Sequence, residues 1–75
     1  MNKERRNKIA KIIQEIERIK DGLQSVLNDE EFSFDNMPEN LQSSMRGEES
    51  EEAIENMNEA VDALREAMDR LCEIG

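Results

Sequence analysis

Ile9-Ala-Lys-Ile-Ile-Gln-Glu-Ile-Glu-Arg-Ile-Lys-Asp-Gly-Leu-Gln-Ser-Val26 decides the fold of this chain, and Ile54-Glu-Asn-Met-Asn-Glu-Ala-Val-Asp-Ala-Leu-Arg-Glu-Ala-Met-Asp-Arg-Leu71 repeats its lesson. In the first stretch Ile9, Ile12, Ile16, Ile19, Leu23 and Val26 alternate steps of three and four, and in the second Ile54, Met57, Val61, Leu64, Met68 and Leu71 do the same. Such spacing keeps one line of side chains on one face of an α-helix. The pattern predicts an all-α chain: an antiparallel helical hairpin of two long amphipathic helices, coiled-coil in character. Helix is expected over residues 3–28 and 50–73, with a capping or recognition segment over 29–49 and residues 1–75 forming a single domain. Gly22 is the one internal glycine of the first helix, and Ser43, Ser44 and Ser50 compete to cap the second, with Ser50 favoured.

Each helix of such a hairpin shields its partner from one side only, so 75 residues in this form are marginal as a monomer. Self-association into a homodimeric four-helix bundle is the expected remedy. Helix two offers the surface for it. Ala53, Asn56, Ala60, Ala63, Ala67, Arg70 and Ile74 repeat the three-four spacing one position away from the large residues, and small side chains let helices approach closely. Ala53, Ala60, Ala63, Ala67 and Ile74 are therefore the expected oligomer contacts. On helix one, Ile13 and Leu27 widen the apolar face, with Lys20 between them able to lay its stem along the seam.

Charge divides the molecule. Residues 1–20 carry +4 and residues 21–75 carry −13, within a net charge of −9. A hairpin gathers Asp29, Glu30 and Glu31 with Glu48, Glu49, Glu51 and Glu52 at its turn end, which becomes strongly negative, and leaves a mixed open end, with Lys3, Arg5, Arg6 and Lys8 near Asp62, Glu66, Asp69 and Glu73. Two hairpins are accordingly expected to pair antiparallel, setting the basic residues of one chain near the glutamates of the other.

Chemistry is bounded by what is missing. With no histidine and one cysteine, neither a zinc set of Cys and His, nor a His-activated nucleophile, nor an internal disulfide can form within one chain. Cys72 reads as a partly buried small apolar residue. Paired carboxylates such as Glu15 with Glu17 fall on outer faces, away from any cleft that would tune them for acid-base work. The acidic loop lacks the ligand order of a calcium site. No enzyme, metal or cofactor is expected. The basic cluster comes without stacking aromatics on a chain of pI near 4.4, so direct nucleic-acid binding is not expected either. No run approaches the roughly 20 apolar residues of a membrane span, and the basic start opens into an amphipathic pattern instead of a signal-peptide core. A cytoplasmic, membrane-free protein is expected.

The middle segment carries the remaining information. Phe32 and Phe34 are the only aromatics, and Met37, Leu41 and Met45 follow around Pro38, which suits the first turn of a short helix near 38–44. These side chains either plug the end of the bundle or form a docking surface. Phe34-Asp-Asn-Met-Pro-Glu-Asn-Leu-Gln42, followed by Ser44 and Glu51-Glu-Ala-Ile-Glu-Asn56, resembles a group of small acidic helical-hairpin proteins encoded in phages and prophages. The resemblance implies a phage or mobile-element accessory protein that binds a host protein, in the manner of an inhibitor of host defence. On that reading Phe32, Phe34, Asp35, Met37, Glu39 and Asn40 form the partner-binding set. The alternatives are a structural oligomerisation subunit, in which the segment only closes the bundle, and an acidic nucleic-acid mimic.

Overall fold

Asn2 opens the first helix: its side-chain oxygen accepts the Arg5 amide at 2.9 Å and so satisfies one of the free donors of the first turn. From there a computed structural model, describing residues 1–74, shows α1 running unbroken over Lys3–Asp35. The helix passes the expected end at Asn28 because nothing between Asp29 and Asp35 is proline or glycine. Pro38 stops it. A proline disfavours helical backbone in the residue before it, so Met37 must leave the helix, and Asn36 closes the last turn. Its backbone amide and its side-chain Nδ2 both donate to the Phe32 carbonyl, at 3.1 and 2.7 Å.

The short helix expected near 38–44 is the one-turn helix α2 (Glu39–Gln42), with Pro38 placed just before it as the N-cap, at φ −55° and ψ 146°, instead of in its first turn. Ser44 begins α3 (Met45–Cys72), its Oγ accepting the Gly47 amide and donating to the Leu41 carbonyl. Capping therefore falls to Ser44, six residues before the favoured Ser50. Ser50 is instead a buried residue inside the helix, where its hydroxyl donates to Glu30 Oε2 at 2.6 Å and ties α3 to α1.

The two long helices pack against each other in a rod about 58 Å long. On α3 the line expected from the sequence faces inward: Ile54, Met57, Leu64, Met68 and Leu71 are half-buried and Val61 fully buried. On α1 the seam is rotated from the expected one. Ile9, Ile16 and Leu23 lie in it as predicted, but the other members are Ile13, Lys20 and the fully buried Leu27. Ile12, Ile19 and Val26 are 45%, 57% and 56% exposed.

The reason lies at the turn. Adjacent apolar pairs, Ile12 with Ile13 and Val26 with Leu27, give α1 two overlapping lines that the period alone cannot rank. Continued in steps of three and four, both lines reach Glu30 and Met37 and part only between them, where the Leu27 line passes through half-buried Phe34 and the Val26 line through exposed Ser33. The turn thus selects the line that its own Phe34 extends. Lys20 meets the seam as foreseen, with its side chain mostly covered and its ammonium 3.5 Å from Asp21. Cys72, expected to be partly buried, is exposed and unpaired, because it steps one residue past Leu71 and out of the seam. No described helix is long and apolar enough to cross a membrane.

Gly47 marks the tightest place in the chain. It is buried, and a Cβ there would meet the backbone of Gln42, coming within 2.6 Å of its Cα. Only a residue without a side chain lets the first turn of α3 pass this close to α2.

Candidate protein-binding surfaces

At the turn end, the proposed partner-binding residues divide into two groups. Phe32, Asp35, Glu39 and Asn40 are exposed, with Phe32 at 72%. Phe34 and Met37 are half-buried and face into the turn, where the Phe34 carbonyl accepts Gln42 Nε2 at 3.0 Å and the Met37 amide at 3.0 Å. Residues two apart on a helix point about 200° from each other. Once α1 extends through both phenylalanines, therefore, one must plug and the other must protrude. Met45, 75% exposed, was not among the candidates and adds a second protruding apolar side chain.

Beside this plug lies an open cleft of about 580 Å³, lined by Glu30, Ser33 and Met37 on one side and Leu41, Arg46 and Glu49 on the other. Its floor is the Ser50–Glu30 hydrogen bond.

Of the expected oligomer contacts, Ala53 and Ala67 are half-buried, and Ala60, Ala63 and Ile74 are exposed. They share their side of the rod with the exposed residues of α1. Ile12, Ile19 and Val26 each precede a seam residue of α1, and Ala53, Ala60 and Ala67 each precede a seam residue of α3 (Ile54, Val61, Met68). One residue is a 100° step around a helix, and in antiparallel helices the same backward step turns both sets toward the same side. The cleft confirms this: Ser33, seven residues beyond Val26, and Ala53 both line it. The Ser50–Glu30 bond fixes the level of the helices. Stepping away from it in opposite directions places Ile12 beside Ala67, Ile19 beside Ala60 and Val26 beside Ala53, to within a residue. The result is a ladder of three rungs, each with one large and one small apolar side chain.

The charged poles remain unneutralised across the hairpin. The three ion pairs among the described residues, Lys8 with Glu4 at 3.8 Å, Lys20 with Asp21 and Arg65 with Asp62 at 3.6 Å, each join neighbours on one helix. Lys3, Arg5, Arg6 and Lys11 are exposed toward the open end together with Asp62, Glu66, Asp69 and Glu73, whereas the turn end exposes Asp29, Glu31, Glu48 and Glu49. Among the described residues no group of three or more acidic or cysteine side chains is placed to hold a metal ion. Comparison with protein-family models, characterised proteins and solved structures finds no match to this chain.

Proposed function

We propose that this chain is a non-enzymatic protein-interaction module that pairs with a second copy into a four-helix bundle and presents its turn end to another protein. The observation that carries the reading is the exposed line Ile12, Ile19 and Val26, which runs over some four turns of α1 beside the alanines of α3. The total accessible surface supports it. A compact monomer of 8.7 kDa exposes roughly 4,700 Å², whereas this chain exposes 5884 Å². The excess, roughly 1,100 Å², is of the size that one partner buries in an ordinary stable interface, about 800 Å².

The second binding surface is the turn end, where Phe32 protrudes among Asp35, Glu39 and Asn40. A large aromatic ringed by polar groups has the chemistry of an interface anchor. The resemblance of the Phe34–Gln42 segment to phage proteins suggests that the partner is a host protein and the outcome inhibition, in the manner of a mobile-element accessory factor. The inward-facing Phe34 and Met37 favour the rival reading in part, since they close the hairpin as a purely structural subunit would.

Affinity capture from a host lysate with the wild-type chain and with Phe32→Ser decides between them. Phe32 supports no packing in the hairpin, so helicity should be unchanged. Loss of a captured protein with Phe32→Ser supports recognition; identical capture by both proteins overturns it.

A further inference from the structure

Granted the self-association just proposed, we infer that the second copy lies antiparallel across the ladder, with Arg5 and Ile74 of each chain closing the turn-end cleft of the other. The rungs Ile12/Ala67, Ile19/Ala60 and Val26/Ala53 are seven residues apart and symmetric about the middle one. Residue 19 is also the midpoint of α1, Lys3–Asp35. A two-fold axis crossing the face at Ile19 and Ala60 therefore lays α1 on its counterpart and α3 on its counterpart over their whole lengths. Ile19 meets Ile19, and the Ile12 rung of each chain meets the Val26 rung of the other.

The same heptad step, taken once more in each direction, gives Arg5 level with Ile74, which follows the end of α3 by two residues, at the open end and Ser33 beside Arg46 at the turn end. These two outer rungs also exchange under the axis. Arg5 of the second copy comes over Ser33 and Glu30, and its Ile74 comes over the stem of Arg46 and against Glu49, which are the walls of the cleft. The charge polarity of α1, basic at its start and acidic at its end, favours this orientation. Arg5 is exposed and, among the described residues, has no carboxylate within ion-pair distance, while the turn end holds Asp29, Glu30, Glu31, Glu48 and Glu49. Lys8 likewise comes level with Asp29 and Glu30 of the second copy. A parallel pair would instead stack two turn ends of like charge and leave both clefts open.

Disulfide trapping of the full chain in a Cys72→Ser background reads the register. Ile19→Cys should give a covalent dimer on mild oxidation. Ile12→Cys should form one with Val26→Cys chains but not with itself. Self-linking of Ile12→Cys, or linking of Ile19→Cys to Ala60→Cys in place of itself, overturns the arrangement while leaving self-association intact. A monomer by light scattering at micromolar concentration overturns self-association as well. The socket has its own test. Arg5→Glu should weaken the dimer about tenfold in low salt, through two sockets per dimer, and less in high salt. Arg6→Glu makes the same charge change off the ladder and should have little effect. Equal weakening by the two variants overturns the assignment of Arg5 to the cleft.

Discussion

The turn end and the open end of this rod are built on the same helical period and yet differ in how they are held. Leu27, Gly47 and Ser50, three of the four buried residues among those described, belong to the turn end, and the fourth, Val61, lies near the middle. The one side-chain hydrogen bond from α1 to α3 among the described residues, Ser50 to Glu30, is at the turn end too. Toward the open end the seam continues through Ile9, Ile13, Leu64, Met68 and Leu71, all of them only half-covered. The difference follows from geometry. At the turn a third element, α2, covers the two helices, whereas two bare cylinders can hide only the line along which they touch. The turn end is thus covered by a third element of the chain itself, and the open end is not.

Gly47 gives the most severe way to break this arrangement. Gly47→Ala puts a methyl group into the Gln42 backbone, which cannot rotate away as a side chain would, so the turn must reopen. The cost should reach about 3 kcal/mol, visible in thermal or urea unfolding followed by circular dichroism. A stability within a few tenths of the wild type would show that α2 is not held against α3.

Leu27→Ala comes next and tests the comparison directly. A fully buried leucine leaves a cavity and should cost about 2–3 kcal/mol. Leu71→Ala, at a half-covered position of the open end, should cost about 1 kcal/mol. Equal losses would mean that the open end is as well packed as the turn, which two helices alone cannot achieve.

Ser50→Ala should have a smaller effect. A hydrogen bond to a carboxylate is worth about 1.5 kcal/mol at a site water can reach, and alanine returns about 0.5 kcal/mol in helix propensity. The net loss is about 1 kcal/mol; in a Glu30→Ala background, where the bond is already gone, Ser50→Ala should instead gain about 0.5 kcal/mol, so that the double-mutant cycle returns a coupling of about 1.5 kcal/mol if the pair acts alone.

Periodicity made the two helices and their antiparallel pairing legible, because stripes of three-four spacing have no other stable use in a chain of this length. It could not choose between adjacent residues such as Ile12 and Ile13, which differ by 100° and are equally apolar. That choice belongs to the turn, through Phe34, and it converts half of the expected core of α1 into an outward face. The helix ends were hidden for a similar reason. Ser44 and Ser50 carry the same capping chemistry, and what separates them is the close pass at Gly47, a tertiary event. The exposure of Phe32 opposite Phe34 was legible in principle, since alternate residues cannot share a helix face, but only for a reading that extended α1 past Asn28.

Gly22 offers the smallest test and the one most sensitive to a neighbour. It interrupts a 33-residue helix at an exposed position, and a Cβ added there meets nothing within 4 Å. Gly22→Ala removes backbone freedom from the unfolded chain without a clash in the hairpin, so stability should rise by about 0.8 kcal/mol. Gly22 lies on the flank of the Ile12, Ile19 and Val26 line, three residues past the inferred two-fold axis. At that flank an antiparallel neighbour still leaves room for a methyl group, so association measured by sedimentation should be unchanged. A variant that gains helix stability but dimerises less would place the second copy closer to Gly22 than an axis at Ile19 allows, and would shift the register toward the turn.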